Sequence, residues 1–204
     1  MNENIKKDHW EKVYQTKTPK EVSWTQEKPQ TSLNLIHSCG LGKEASIIDI
    51  GGGDSHLVDF LLEEGYQNIT VLDISAKALE RAQQRLGVHA GKVTWIEADV
   101  TEFNPKETYD IWHDRAAFHF LTQQEQVQKY LQITKDNVTG YIILGTFSTN
   151  GPTKCSGLDI QQYDESSLDS LFQDSFEKLD CFTEDHTTPF NTIQNFIFCR
   201  FKKL

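Results

Sequence analysis

Apolar positions along the chain switch between two spacings, and each switch marks an element. In Asp8–Tyr14, Trp10, Val13 and Tyr14 stand at i, i+3 and i+4, the stripe of a short amphipathic helix. Thr18-Pro19 breaks it. A linker carrying Trp24 and Pro29 leads into Thr31–Cys39, where Leu33, Ile36 and His37 return to helical spacing before Gly40 or Gly42 ends the run. From residue 46 onward Ser46–Ile50, Ile69–Leu72, Val93–Glu97, Tyr109–Trp112 and Gly140–Gly145 read as strands. Between them Ser55–Glu64, Ala76–Leu86 with Ser75 as its cap, and Gln123–Ile133 read as helices. Such alternation predicts an α/β chain with a parallel sheet. Beyond Gly151-Pro152 a long polar connection leads to a helix at Ser166–Phe172. Phe176–Thr183 and Gln194–Lys202 are then β-rich with no helical crossover between them, so they are expected to pair antiparallel.

Length and composition narrow the classes. A chain of 204 residues suits one α/β domain, and 37% hydrophobic with 25% charged residues is ordinary for a globular protein. The formal net charge of −10 and the lack of a Lys/Arg-rich run argue against nucleic acid as a partner. Met1–Trp10 is polar, and no later stretch approaches the roughly eighteen unbroken apolar residues of a membrane span. A soluble cytoplasmic protein is therefore expected, with no membrane partner. Cys39, Cys155, Cys181 and Cys199 are scattered without a C-x-x-C pair and read as reduced thiols. His113 and His119 lack metal-ligand spacing, and no metal is expected.

The chemistry concentrates in Ile47-Ile48-Asp49-Ile50-Gly51-Gly52-Gly53-Asp54-Ser55, an apolar strand running into three glycines and then a helix. Such a turn brings backbone close to a ligand. For a nicotinamide dinucleotide the third glycine of G-x-G-x-x-G would fall at His56, where a side chain obstructs close helix–strand packing. Asp54 beside the turn would repel a pyrophosphate and suit a cationic ligand. As Asp-x-Gly-x-Gly, the stretch resembles the first motif of class I S-adenosylmethionine-dependent methyltransferases. It departs from many of them in carrying Ser55 where they have a further glycine.

That resemblance runs from the glycine turn through the fifth strand and into the final antiparallel pair. It implies a Rossmann-like three-layer sandwich on a mostly parallel seven-stranded sheet, as a single domain over residues 1–204. In it, 1–40 forms an N-terminal helical lid and 45–204 the core. It also implies S-adenosylmethionine as the cofactor, held by Asp49, Gly51, Gly52 and Gly53. Asp73, with Ile74 beside it, ends the second strand and would accept from the ribose hydroxyls. Asp99 and Val100 would receive the adenine, and Asp114 would contact the donor's ammonium or orient the acceptor. Trp10, Tyr14 and Trp24 look like the aromatics of a lid, although core packing explains Trp10 equally well.

His113 and His119 are candidates for a general base because imidazole titrates near neutrality. Histidines of such cores also serve structure, and no catalytic residue is assigned. Arg115 reads as the partner of a nearby carboxylate, Cys155 as a buried thiol in the segment after the fifth strand, and His186–Phe190 as a turn. Methyl transfer needs alignment of nucleophile, methyl and sulfur more than acid–base groups, so the absence of a triad does not argue against an enzyme. The acceptor is unidentified, with a small molecule favoured slightly. A protein lysine and a non-catalytic module that only binds the donor are the alternatives.

Overall fold

The computed structural model describes residues 3–204; Met1 and Asn2, where the expected lid segment begins, lie outside the described residues. Six α-helices and nine strands follow one another: α1 (Glu3–Thr16), α2 (Gln30–Ser38), β1 (Ser46–Ile50), α3 (Leu57–Glu63), β2 (Asn68–Asp73), α4 (Ala76–Leu86), β3 (Val93–Glu97), β4 (Tyr109–Arg115), α5 (Gln124–Asn137), β5 (Val138–Phe147), β6 (Lys154–Cys155), β7 (Leu158–Asp159), α6 (Glu165–Phe172), β8 (Phe176–Thr187) and β9 (Ile193–Lys203). Seven strands form one sheet in the order β3-β2-β1-β4-β5-β9-β8, and β6 and β7 make a small separate hairpin. The first five are parallel, while β9 runs antiparallel between β5 and β8.

Period-two side-chain alternation builds a core on each face of the sheet. Ile48, Ile50, Trp112, Ile142 and Leu144 meet Tyr130 of α5 and Leu168 and Phe172 of α6 on one side. On the other, Ile47, Val71, Ile111 and Ile143 meet Leu33 and Ile36 of α2, Leu57 and Leu61 of α3 and Leu79 of α4. This is the expected three-layer α/β sandwich. Each such aliphatic side chain contributes about 1.5–3 kcal/mol relative to exposure. Chain order then fixes where a ligand goes. From β1 the sheet grows outward to β2 and β3 on one side and to β4 and β5 on the other. The crevice at the carboxyl ends of β1 and β4 is therefore the switch point where open α/β sheets bind ligands.

Two expectations are corrected here. The helix expected from Ser55 starts at Leu57, because Gly51–His56 is consumed by the turn, in which the amide of Ser55 donates to the carbonyl of Gly52. The four cysteines are not all free. Cys181 and Cys199 stand opposite each other on β8 and β9 with Cα atoms 4.2 Å apart and are joined as a disulfide, across a sequence separation of 18. Directly opposed positions of an antiparallel pair bring side chains this close. Cys39 and Cys155 are free and buried.

Candidate functional site

The glycine turn is clamped by the strand beside it. The amides of Gly51 and Gly52 donate to the carbonyl of Leu72 at the end of β2, at 2.7 and 3.3 Å. Gly51 has φ +66°, and a Cβ there would come 2.9 Å from the Cβ of Ala117. Gly53 sits tighter still, since a Cβ would overlap Ala78 and stand 2.6 Å from Asp73 Oδ2. Its amide donates to that oxygen at 3.0 Å, while the amide of Ser75 donates to Asp73 Oδ1 at 2.8 Å. Burial pushes the Asp73 carboxyl up to about 6 although the two amides pull it down. Each of its oxygens keeps lone-pair capacity for a ligand hydroxyl.

Asp49 carries the most distinctive feature. Its Oδ1 accepts from Nδ1 of His113 at 2.7 Å, and Nε2 of His113 lies 2.8 Å from the hydroxyl of Ser32 on α2. A carboxylate only accepts, so Nδ1 donates to Asp49. Asp49 Oδ2 is buried and has no hydrogen-bond partner. It faces the same cavity as Gly51, Gly52, Asp73, Ile74, Asp99 and Val100. A bare carboxylate oxygen in that position is complementary to a cation. Asp99 gives Oδ1 to the amide and hydroxyl of Thr101, both at 2.8 Å.

Trp10 and Trp24 both line the cavity, their rings 5.5 Å apart at 78°, and Trp10 also meets Phe120 edge-on at 5.2 Å. The two explanations offered for the N-terminal aromatics divide between residues. Val13 is buried away from the cavity and Tyr14 is buried at its wall, with the Arg81 guanidinium 5.7 Å from the Tyr14 ring centre, whereas Trp10 and Trp24 stay partly exposed while lining the same cavity.

Several carboxylates and histidines take other places than the sequence suggested. Asp114 does not face the cavity: its Oδ1 accepts from the amides of Ala117 and Phe118 at 3.0 and 3.1 Å and its Oδ2 from the Tyr130 hydroxyl at 2.9 Å. It is fully buried, tied to the turn after β4 and not part of the cavity wall, so it is not placed to meet an ammonium there. Asp54 lines the cavity, but Arg85 at 2.8 Å and Arg81 at 3.4 Å compensate its charge, so the attraction for a cation rests on Asp49. His119 is fully buried, stacked on Phe147 at 4.5 Å, with both ring nitrogens unpartnered. Burial pulls its pKa down to about 3, and it does not face the cavity, so it is no general base. Arg115 does line the cavity, yet no ion pair links it to a carboxylate among the described residues. Its Nη1 donates to the carbonyl of Trp24 at 3.0 Å. Ser32 was not foreseen, because nothing in its sequence neighbourhood points to His113, which is 81 positions away.

Residues 47–137 match the family described as a methyltransferase domain. Over that segment the chain is similar to S-adenosylmethionine-dependent methyltransferases. The chain is 32% identical over 127 residues to a malonyl-[acyl-carrier protein] O-methyltransferase of Anoxybacillus flavithermus, covering 59% of this chain and 48% of that protein. Over 125 residues it is 29% identical to the eEF1A lysine and N-terminal methyltransferase of Mus musculus, covering 59% of this chain and 17% of that one. The chain thus spans half or less of the length of these curated relatives. Its fold is shared with a SAM-dependent methyltransferase from Anabaena variabilis, with a TM-score of 0.76 at 15% identity over 100% of this chain and 96% of that one.

Proposed function

We propose that this protein is a class I S-adenosylmethionine-dependent methyltransferase that binds its donor in the β1–β4 crevice and transfers the methyl group to a small-molecule acceptor. The observation that carries this reading is Asp49, a buried carboxylate with one oxygen bare beside a glycine turn that leaves no room for a Cβ. Asp49 would take the donor's ammonium, Asp73 its ribose hydroxyls, and Asp99, Val100 and Ile74 its adenine. The donor supplies an electrophilic methyl on a sulfonium, whose thioether leaves without protonation. The chain's own work is then to orient and to exclude water. His113, held by Ser32, fixes the carboxylate of Asp49, and Trp10 and Trp24 cover the transfer site. Proximity of this kind accounts for most of the rate such a reaction needs.

Titration calorimetry with S-adenosylhomocysteine and with NADH tests the reading. The first is expected to bind and the second not; tight NADH binding without S-adenosylhomocysteine binding overturns it. A small acceptor is favoured because aromatic rings roof the cavity. One relative's name specifies a protein lysine, and a lysine peptide is the matching control in a transfer assay. We also place the protein in the cytoplasm, because Cys39 and Cys155 are free, buried thiols of the kind kept in reducing compartments. The Cys181–Cys199 bond points the other way, and a thiol count on protein purified without reductant decides between them. Four titratable thiols after unfolding support the cytoplasm and two argue against it.

A further inference from the structure

Arg115 is a charge in the cavity that donor binding leaves unused, as is Lys6 at its rim, whose Nζ donates to the carbonyl of Phe120 at 3.2 Å. Arg115 stands at the end of β4, two residues beyond His113, and its Nε is buried with no hydrogen-bond partner. Its other contacts are neutral: the carbonyl of Trp24, accepting from Nη1 at 3.0 Å, and the ring of Phe196, whose centre is 4.9 Å from the guanidinium carbon. Glu184 and Asp49 act on it only from beyond ion-pair distance. Glu184 accepts a hydrogen bond from Thr31 at 2.6 Å, and Asp49 one from His113. The nearby Cys155 thiol is pushed up to about 12 by burial, so it is neutral and offsets nothing. His119 and His186 are both held below the usual imidazole range by burial, with Arg115 adding to the effect, so neither brings a charge. Burial pulls Arg115 itself down to about 10, which leaves it cationic at neutral pH.

Its position separates it from the donor's subsites. Asp99, Asp73 and the glycine turn lie after β3, β2 and β1, whereas the guanidinium rests on Phe196 of β9, two strands past β4 in the sheet order. Neighbouring strands are spaced by about 4.8 Å, so the group reaches away from the nucleoside, toward the β6–β7 hairpin and the Trp10–Trp24 roof. A guanidinium with a free edge in partly dehydrated surroundings is complementary to a carboxylate, which it meets with two parallel hydrogen bonds. A lysine ammonium there would face a like charge.

Resting on the donor reading above, we infer that Arg115 selects the acceptor, and that the acceptor is a small molecule bearing a carboxylate on a flat apolar body that fits beneath Trp10, Trp24 and Phe120. In the transfer the acceptor's lone pair forms the new bond to the methyl carbon and the carbon–sulfur bond pair returns to sulfur. A proton carried by the nucleophile leaves to solvent.

The test follows label from tritiated S-adenosylmethionine into a panel of aromatic carboxylic acids that carry hydroxyl, amino or thiol groups, their matched primary amides, and lysine peptides. Acids are expected to outcompete their amides by about tenfold or more in kcat/KM. Arg115→Gln is expected to raise KM for the acid by about 10–100-fold, with S-adenosylhomocysteine affinity held within about twofold by calorimetry. Arg115→Lys should recover part of the loss. Equal labelling of amides or peptides overturns the inference, as does no labelling of any acid while S-adenosylhomocysteine binds. It is also overturned if Arg115→Gln weakens S-adenosylhomocysteine but not 5′-methylthioadenosine, because the guanidinium then serves the donor's own carboxylate. Should Arg115→Gln not fold, the wild-type preference for acid over amide decides alone. Failure of S-adenosylhomocysteine to bind the wild-type protein refutes the donor reading instead.

Discussion

At the scale of single residues, what a carboxylate can do depends on how many of its lone pairs the fold has already used. Asp73 holds two backbone amides and still faces the cavity. Asp73→Ala is expected to weaken S-adenosylhomocysteine binding by about 1–3 kcal/mol with the fold kept. Ribose hydroxyls donate to the ionised form, and the empty-site pKa is about 6. Wild-type affinity should therefore hold above that pH and fall as pH drops through it, which calorimetry across the range checks. His119 gives the opposite kind of case. Its folded pKa of about 3 lies below the unfolded value of 6.5, so the fold carries no penalty above 6.5 and loses stability as pH falls below it. His119→Phe should remove that loss and raise stability by about 2 kcal/mol more at pH 5 than at pH 8 in urea titrations. The glycine turn and Asp73 were legible because chain order alone puts them at the ends of adjacent strands. The states of Asp54 and Asp114 were not, since the arginines at 81 and 85 and the hydroxyl of Tyr130 that use them come from helices elsewhere in the chain.

At the scale of elements, α1 shows one helix serving two purposes along one stripe. Its Glu11 carboxylate accepts from the amide of Lys77 at the start of α4 at 3.4 Å, Val13 packs inward, and Trp10 and the more deeply buried Tyr14 both line the cavity. Tyr14→Ala is expected to lower unfolding free energy by about 2–4 kcal/mol in urea titrations. Trp10→Ala should reduce donor affinity and transfer with a smaller loss of stability than Tyr14→Ala, and a larger loss of stability would make Trp10 core. Periodicity located this helix over Asp8–Tyr14 but missed its first turns, because residues 3–7 are largely polar and carry little apolar stripe. Conversely β4 runs on to Arg115 through His113 and Asp114, polar positions that end an apolar run in sequence yet stay paired to β5 in the sheet. The elements whose apolar pattern coincides with their hydrogen bonding, β1, β3 and α4, were read to the residue.

At the scale of the whole molecule, the sheet divides into a part built in sequence order and a part that is not. β1 to β4 and their helices come from one continuous run, residues 46–115, and contain the glycine turn, Asp73 and Asp99 that line the cavity. Across β5 the order inverts, since β9 fills the place beside it and β8, made earlier, lies outside β9. That inversion sets a timetable for synthesis. While the ribosome is adding residues 148–192, β5 presents Tyr141–Phe147 as an unpaired apolar edge whose partner has not yet been made. An open edge of that kind recruits strands from other chains. A version ending before Ile193 is expected to collect in the insoluble fraction although its β1–β4 half is intact, with soluble yield recovered when residues 193–203 are supplied. The nascent protein thus completes the glycine turn and Asp73 well before it can shelter the β5 edge of the sheet.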